Sequence, residues 1–265
     1  MRTAIAIVLL AVMLFPLYWM VDASLQTNQQ IADREPHWLP FGGTLDGYRD
    51  ALGQQGGHLV VSVIVALGTV VLTLLIAAPA AYGLSRRNSR PVLFTLLIVQ
   101  LIPGIVMANA LYRVFSTLGV LNSPEALVLA DSTLAVPFAV LIMRAFMLSV
   151  PKELVEAAGL DGAGAVRTFV TIVLPVSRNG VVTAGLFAFL FSWGDFMFAS
   201  TLNLGAPNWT PITVGLYDFI GAGTNTTSWN SVMATGVLAS LPVAVLLVVA
   251  QRHVSAGLAA GAVKD

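Results

Sequence analysis

Two acids inside long apolar runs are the first residues to ask for a chemical role. Asp195 stands in "FLFSWGDFMFAS", two residues after Trp193 and beside Phe196, and Asp131 lies in the apolar run that follows Pro124. A charge in hydrocarbon is costly, so such residues are usually paired, hydrated or functional. A carboxylate beside an indole suits a polyhydroxylated solute, whose hydroxyls donate to the carboxylate while the ring face covers its C–H groups. It suits a helix-packing or gating contact equally well. Asp131, near the end of its run, fits a simply hydrated acid. Gln100, Asn109 and Asn203 are further polar candidates along the apolar runs. Arg144 lies within a turn of a run's end, where its stem lets the guanidinium reach the interface.

Other chemistries lack their parts. His37, His58 and His253 are far apart and have no metal-ligand spacing. Cysteine is absent, which excludes disulfides and thiolate sites. A phosphate-cradling loop needs a glycine-rich turn ending in Gly-Lys-Ser/Thr, whereas Lys152 and Lys264 follow proline and valine. No cofactor is implied, and any ATP used must be hydrolysed by another polypeptide. An intramembrane enzyme would need an embedded nucleophile and base, and no embedded histidine supports one. Thirteen basic and thirteen acidic residues cancel, leaving no basic patch for nucleic acid.

The elements that must position these residues are membrane helices. The 265-residue chain is 57% hydrophobic and 10% charged, against about 25% charged in soluble domains. A bilayer core takes about 20 apolar residues per helix. Six runs qualify, at 4–23, 59–84, 92–117, 127–148, 176–204 and 231–250. The expected class is an all-α polytopic membrane protein forming one domain over 1–265. Pro16, Pro79, Pro103, Pro137 and Pro242 fall in these runs, and the Pro103-Gly104 pair marks the third as the one to bend.

Orientation follows from Lys and Arg. With Met1 inside, Arg2, Arg86, Arg87, Arg90, Arg144, Lys152, Arg167, Arg178, Arg252 and Lys264 are cytoplasmic, and only Arg34, Arg49 and Arg113 are outside. Both termini are therefore expected in the cytoplasm of a cell inner (plasma) membrane protein. Trp19, Trp38, Trp209 and Trp229 fall at outer ends, as an interfacial belt requires. Val21-Asp22-Ala23 also fits a signal-peptide cleavage site, but the preceding run is longer than a signal h-region and favours a retained span.

The longest internal connection, 149–175, contains "EAAGLDGAGAVRTFVTIVLP". Pro151 suits a first helical turn, and Glu153 and Glu156 complement the positive helix end. Gly162 and Gly164 break the helix, Asp161 can cap a second one, and that one carries Val166, Phe169, Val170 and Val173 on one side. Pro175 then marks the turn into the fifth span. This helix–turn–helix fits an amphipathic loop lying on the headgroups or a docking element for a cytoplasmic partner.

The pattern E-A-A, three residues, G, nine residues, I-x-L-P is met by Glu156, Ala157, Ala158, Gly162, Ile172, Leu174 and Pro175. It resembles the cytoplasmic loop signature, the EAA motif, of membrane subunits of binding-protein-dependent ABC importers. "LGVLNS", "PFAVLIMRAFMLSVPKELVEAAGLDGA", "FLFSWGDFMFAS" and "QRHVSAGLAAGAVKD" extend the resemblance over the chain, toward the maltose-type carbohydrate permeases. Gly194-Asp195 departs from it, standing where members commonly have a longer amide or acid pair.

The resemblance implies a permease subunit that moves a sugar or related polar solute by alternating access. The partners it implies are a second, homologous permease subunit, two copies of a cytoplasmic ABC ATPase and an extracytoplasmic solute-binding protein. On that reading the loop is a coupling helix. Glu156 makes a polar contact with the ATPase, Ala157 and Ala158 allow a close fit, and Gly162 makes the turn. Arg167 adds a contact, while Ile172, Leu174 and Pro175 anchor the loop. The competing class, an ion-coupled secondary transporter, would show buried coupling acids and an internal repeat with broken helices; the sequence offers few such acids and no clear repeat.

Overall fold

The computed structural model describes residues 2–87, 89–204, 207–222 and 228–262, and among them every regular element is helical. α1 (Arg2–Leu25) and the short α2 (Asn28–Ala32) lead to α3 (Asp46–Arg86). α4 (Arg90–Val99), α5 (Gly104–Leu118) and α6 (Pro124–Leu148) follow. The next connection holds α7 (Lys152–Leu160), α8 (Ala165–Thr168), a π turn (Phe169–Val173) and α9 (Leu174–Val176). After these come α10 (Arg178–Trp193), α11 (Met197–Leu202), a 3-10 turn (Pro207–Trp209), α12 (Ile212–Ala222) and α13 (Trp229–Ala262).

Within α1, α3, α6 and α13 lie four stretches long and apolar enough to cross a bilayer alone. The pair α4–α5, bent by 92°, and the pair formed by 165–176 and α10, bent by 79°, raise the count to as many as six. The all-α, multi-pass class read from the sequence is the class observed.

Several boundaries differ from the sequence reading, each for a local reason. The run 92–117 is broken because Pro103 disfavours helical backbone at Ile102 and becomes the N-cap of α5, with Gly104 as its first residue. Pro16, Pro79, Pro137 and Pro242 remain inside continuous helices. The run 176–204 is also divided, since α10 ends at Trp193 and α11 starts at Met197. Pro175 does not make the turn into this run. It sits in the last turn of the continuous helical run 165–176, two residues before the bend, and the chain turns at Ser177, at φ −88° and ψ 16°.

The region 24–57 is less loop-like than its turn formers imply. α3 already begins at Asp46, whose N–H donates to the Thr44 hydroxyl oxygen at 3.1 Å. The region 205–230 likewise contains α12, a short apolar helix that reads as loop in the sequence because its flanks are rich in Gly, Asn and Thr.

The chain divides into two compact units, Met1–Val60 with Pro211–Ala244 and Val61–Thr210 with Val245–Asp265. In the first unit, Thr27 and Gln30 form a reciprocal capping box at the start of α2. Ser24 Oγ lies 2.8 Å from the Tyr48 hydroxyl, and the Ser231 hydroxyl donates to Asp50 at 3.3 Å. A Cβ on Gly47 would lie 2.9 Å from the Asn230 backbone, so α3 starts hard against the first turn of α13. The best apolar window of α1 buries nothing within the chain.

The second unit is built on α6. Ala139, Val140, Met143 and Met147 of α6 meet Ala77, Ala78 and Ala81 of α3 and Ala184 of α10 in a buried cluster that also takes in Val150 and Val173. The alanines let the backbones approach closely, as small residues do in membrane bundles. Contact is closer still at Gly180, where an added Cβ would lie 2.7 Å from Cβ and Cγ of Phe146. The near end of a side chain cannot swing away, so Gly180→Ala is expected to destabilise by about 1–3 kcal/mol. A thermal melt of the purified protein in detergent checks this.

Candidate functional site

The connection 149–175 builds from the end of α6. The Ser149 hydroxyl donates to the Phe146 carbonyl at 2.7 Å, Pro151 is the N-cap of α7, and Glu153 occupies its first turn. α7 ends in a complete Schellman turn. Ala163 N–H donates to the Ala158 carbonyl at 2.9 Å and Gly162 N–H to the Gly159 carbonyl at 3.0 Å, with Gly162 at φ +77°. That φ favours glycine, which accounts for Gly162 on local grounds. Asp161 is therefore the C-cap of α7 and not the cap of the next helix, which starts from Gly164.

The second half does not bury the stripe read from the sequence. Phe169 and Val173 pack into the cluster on α6, joined by Leu174, while Val166 and Val170 stay exposed. The π turn at 169–173 adds one residue to the turn and so shifts the inward face. Phe169 stacks on Tyr82 with centroids 5.2 Å apart, and the Arg86 guanidinium sits 5.3 Å from the other ring's centroid at Tyr82. Arg144 Nε donates to the Leu84 carbonyl at 3.2 Å. The guanidinium thus meets the end of α3.

The loop residues singled out in sequence divide into two groups. Glu156, Ala157, Gly162, Arg167 and Pro175 are exposed, whereas Ala158 is buried and Ile172 and Leu174 are half-buried. The two alanines therefore do different things, Ala158 packing against its own chain and Ala157 facing outward. Leu160 is the most open of the apolar side chains here, at 90% exposure, with Leu154 and Val166 also uncovered.

A second set of residues surrounds the break in the fifth run. Asp131 is not hydrated at a helix end; it is only 3% exposed and accepts from the Ser192 hydroxyl at 2.5 Å. Thr69 donates in turn to Ser192 at 3.3 Å, so one chain of bonds ties α3, α10 and α6. Asp195 follows Gly194, beyond the end of α10, and its carboxylate accepts from the N–H groups of Phe198 at 3.1 Å and Ala199 at 2.9 Å. It caps α11. Trp193 is buried and stacks on Phe189, with centroids 5.4 Å apart.

The remaining candidates are not brought together with this pair by any described bond. Asn109 is exposed and donates to the Ile105 carbonyl, and Gln100 donates to the Leu96 carbonyl. Asn203 is buried and donates to the Trp209 carbonyl at 2.7 Å, while its Oδ1 has no partner among the described residues. Ser192 and Thr69 were missed in sequence, where small hydroxyl residues in apolar runs give no signal. His37 bonds Asp33 at 2.9 Å, and the side chain of His253 lies outside the described residues.

Long apolar helices, two sharply broken runs and polar bonds buried between helices fit a polytopic membrane protein. The family described as binding-protein-dependent transport system inner membrane component matches residues 70–259, and the chain belongs to it. Its members are inner-membrane permease subunits of systems that work with a solute-binding protein and an ATPase.

Relatives are similar over nearly their whole length. The sulfoquinovosyl glycerol transport system permease protein of Agrobacterium fabrum is 34% identical, covering 100% of this chain and 93% of its own. The diacetylchitobiose uptake system permease protein of Streptomyces coelicolor is 30% identical, covering 98% and 95%. Among solved structures, a bacterial ABC transporter involved in alginate import superposes with a TM-score of 0.76 at 19% identity, covering 95% of this chain and 94% of the other. That likeness concerns the fold.

Proposed function

We propose that residues 1–265 form one permease domain of an ATP-driven importer that carries a sugar or related polar solute delivered by an extracytoplasmic binding protein. The chain pairs with a second, homologous permease and with two copies of a cytoplasmic ATPase, and both termini are cytoplasmic. The sugar class is supported by the solutes named for the relatives, which include a trehalose/maltose transport system permease protein of Thermococcus litoralis, 29% identical over 98% of this chain.

The observation that carries the coupling role is the form of 149–175. α7 presents Glu156 and Ala157 outward on a helix fixed at one end by the Schellman turn, while Phe169, Val173 and Leu174 root the returning segment in the core on α6. A push on α7 is thereby delivered to α6 and α10, the helices joined by Asp131 and Ser192. Closure of the ATPases turns the pore outward, and hydrolysis reverses it. The outward face of α1 is left for lipid and the partner permease.

Affinity purification from native membranes is expected to bring down a stoichiometric ATPase and a second permease. Proteoliposomes holding the assembled complex should take up the solute only with ATP. Uptake that follows an ion gradient in the absence of ATP would overturn this reading in favour of a secondary transporter.

A further inference from the structure

The first unit holds a cavity of about 230 Å3, lined in part by Trp19, Trp229 and Met233 and by the polar residues Gln26, Asp33, Arg34 and His37. None of these is among the residues assigned to coupling or to the break in the fifth run. We propose that this cavity is a binding site for a single neutral sugar ring. The binding claim rests on the cavity's own chemistry; its role as an entry point for the transported solute rests on the importer reading above and on the orientation that places Trp19 outside.

The walls are held before any ligand arrives. Trp19 packs in a three-ring cluster with Phe15, at 6.3 Å, and Trp38, at 5.8 Å edge-on, and Trp38 is itself tied by its carbonyl to the Tyr18 hydroxyl. Gln26 is only 3% exposed, and its Nε2 donates both to Asp22 Oδ2 at 2.6 Å and to the His37 carbonyl at 2.8 Å. Two acceptors on one amide end identify it as the nitrogen. The amide oxygen then has no donor among the described residues, although the side chain lines the cavity. The His37 ring is steadied by Asp33 at 2.9 Å, and Arg34 makes no described bond.

The class of ligand follows from what these groups would satisfy. The volume falls below the roughly 300–1,000 Å3 of drug-sized sites and suits one ring. Two indoles cover a C–H face, while Gln26 Oε1 and Asp33 accept from hydroxyls and Arg34 donates to them. Asp33 and Arg34 cancel in charge, which disfavours a phosphate headgroup, since such a group calls for an excess of cations. An aliphatic chain would offer Gln26 Oε1 and Arg34 none of the hydrogen bonds that ring hydroxyls can make.

The test uses the assembled complex in nanodiscs, without binding protein or ATP. The probes are the methyl glycosides of glucose, galactose, mannose and glucosamine (N-acetylated), together with phosphocholine, and binding is read by saturation-transfer NMR. At least one glycoside is expected to bind saturably in the millimolar range. Trp19→Ala should weaken it by at least roughly tenfold, as loss of an aromatic anchor does, and Arg34→Ala, at an exposed side chain, by a few-fold. Trp209→Phe, outside the cavity, should leave binding unchanged.

Absence of saturable binding by every glycoside would overturn the proposal, as would equal binding in wild type, Trp19→Ala and Arg34→Ala. Saturation by phosphocholine alone would make this a headgroup site and overturn it too. If glycosides bind as expected but uptake proves independent of ATP, the importer reading fails while the site stands.

Discussion

Glu156→Lys should abolish most ATP-driven uptake while leaving the protein folded and inserted. Glu156 is exposed on α7 and makes no bond among the described residues, so its replacement removes nothing that holds the chain together. Helix propensity barely changes between Glu and Lys. Any large effect must therefore come from what α7 meets outside this chain. Reversing a charge at a docked polar contact costs on the order of 2–3 kcal/mol in binding, or roughly 30- to 150-fold in affinity. The ATPases would then still turn over, but their closure would no longer reach α6. The measurements are ATP-dependent uptake and ATPase rate in proteoliposomes, alongside membrane yield. Glu156→Gln, which removes the charge without reversing it, should fall between the two. Normal coupled uptake in Glu156→Lys would remove the docking role and leave α7 as a helix lying on headgroups.

How much of this could be read from the sequence depended on whether the deciding contact was local. Gly162 was legible because its φ is set by a turn closed within six residues, and the glycine pair announces that turn. The breaks were half legible. Pro103-Gly104 signals one through backbone chemistry, but nothing in "SWGDF" says that α10 stops there and not a turn later.

Asp131 was misread for the opposite reason. Its burial is set by Ser192, 61 residues away, and by Thr69 on a third helix. No local pattern distinguishes an acid bonded across helices from one in water. The coupling stripe failed for a subtler reason, because a π turn moves the inward face by one residue and the 3.6-residue period used for reading assumes that no such turn intervenes. Pro175 shows the same limit. A proline is compatible with the first turn of a helix and with the end of one, and only the fold chooses.

Asp195 offers the sharpest separation of fold from function, because its two readings predict opposite patterns. As observed, its carboxylate satisfies two N–H groups at the start of α11, at 3.1 and 2.9 Å. Within a membrane those donors have no water to turn to. Asp195→Ala should then cost about 2 kcal/mol, as the loss of a capping acceptor does, and lower the melting temperature by roughly 4–8 °C for a chain of this size. Asp195→Asn keeps one acceptor and should lose about half of that. If capping is the whole role, total uptake should fall only with the folded fraction, uptake per folded molecule should stay near normal in both variants, and Asn should recover about half of the lost stability. If the carboxylate meets the solute, Asn should transport poorly at near-normal stability, since an amide cannot accept from hydroxyls on both of its ends. Melting curves and uptake on the same two preparations decide between them. The capping bonds leave the carboxylate already engaged on α11, so the expected result is the first: Asp195 shapes the break in the fifth run, and the solute is met elsewhere.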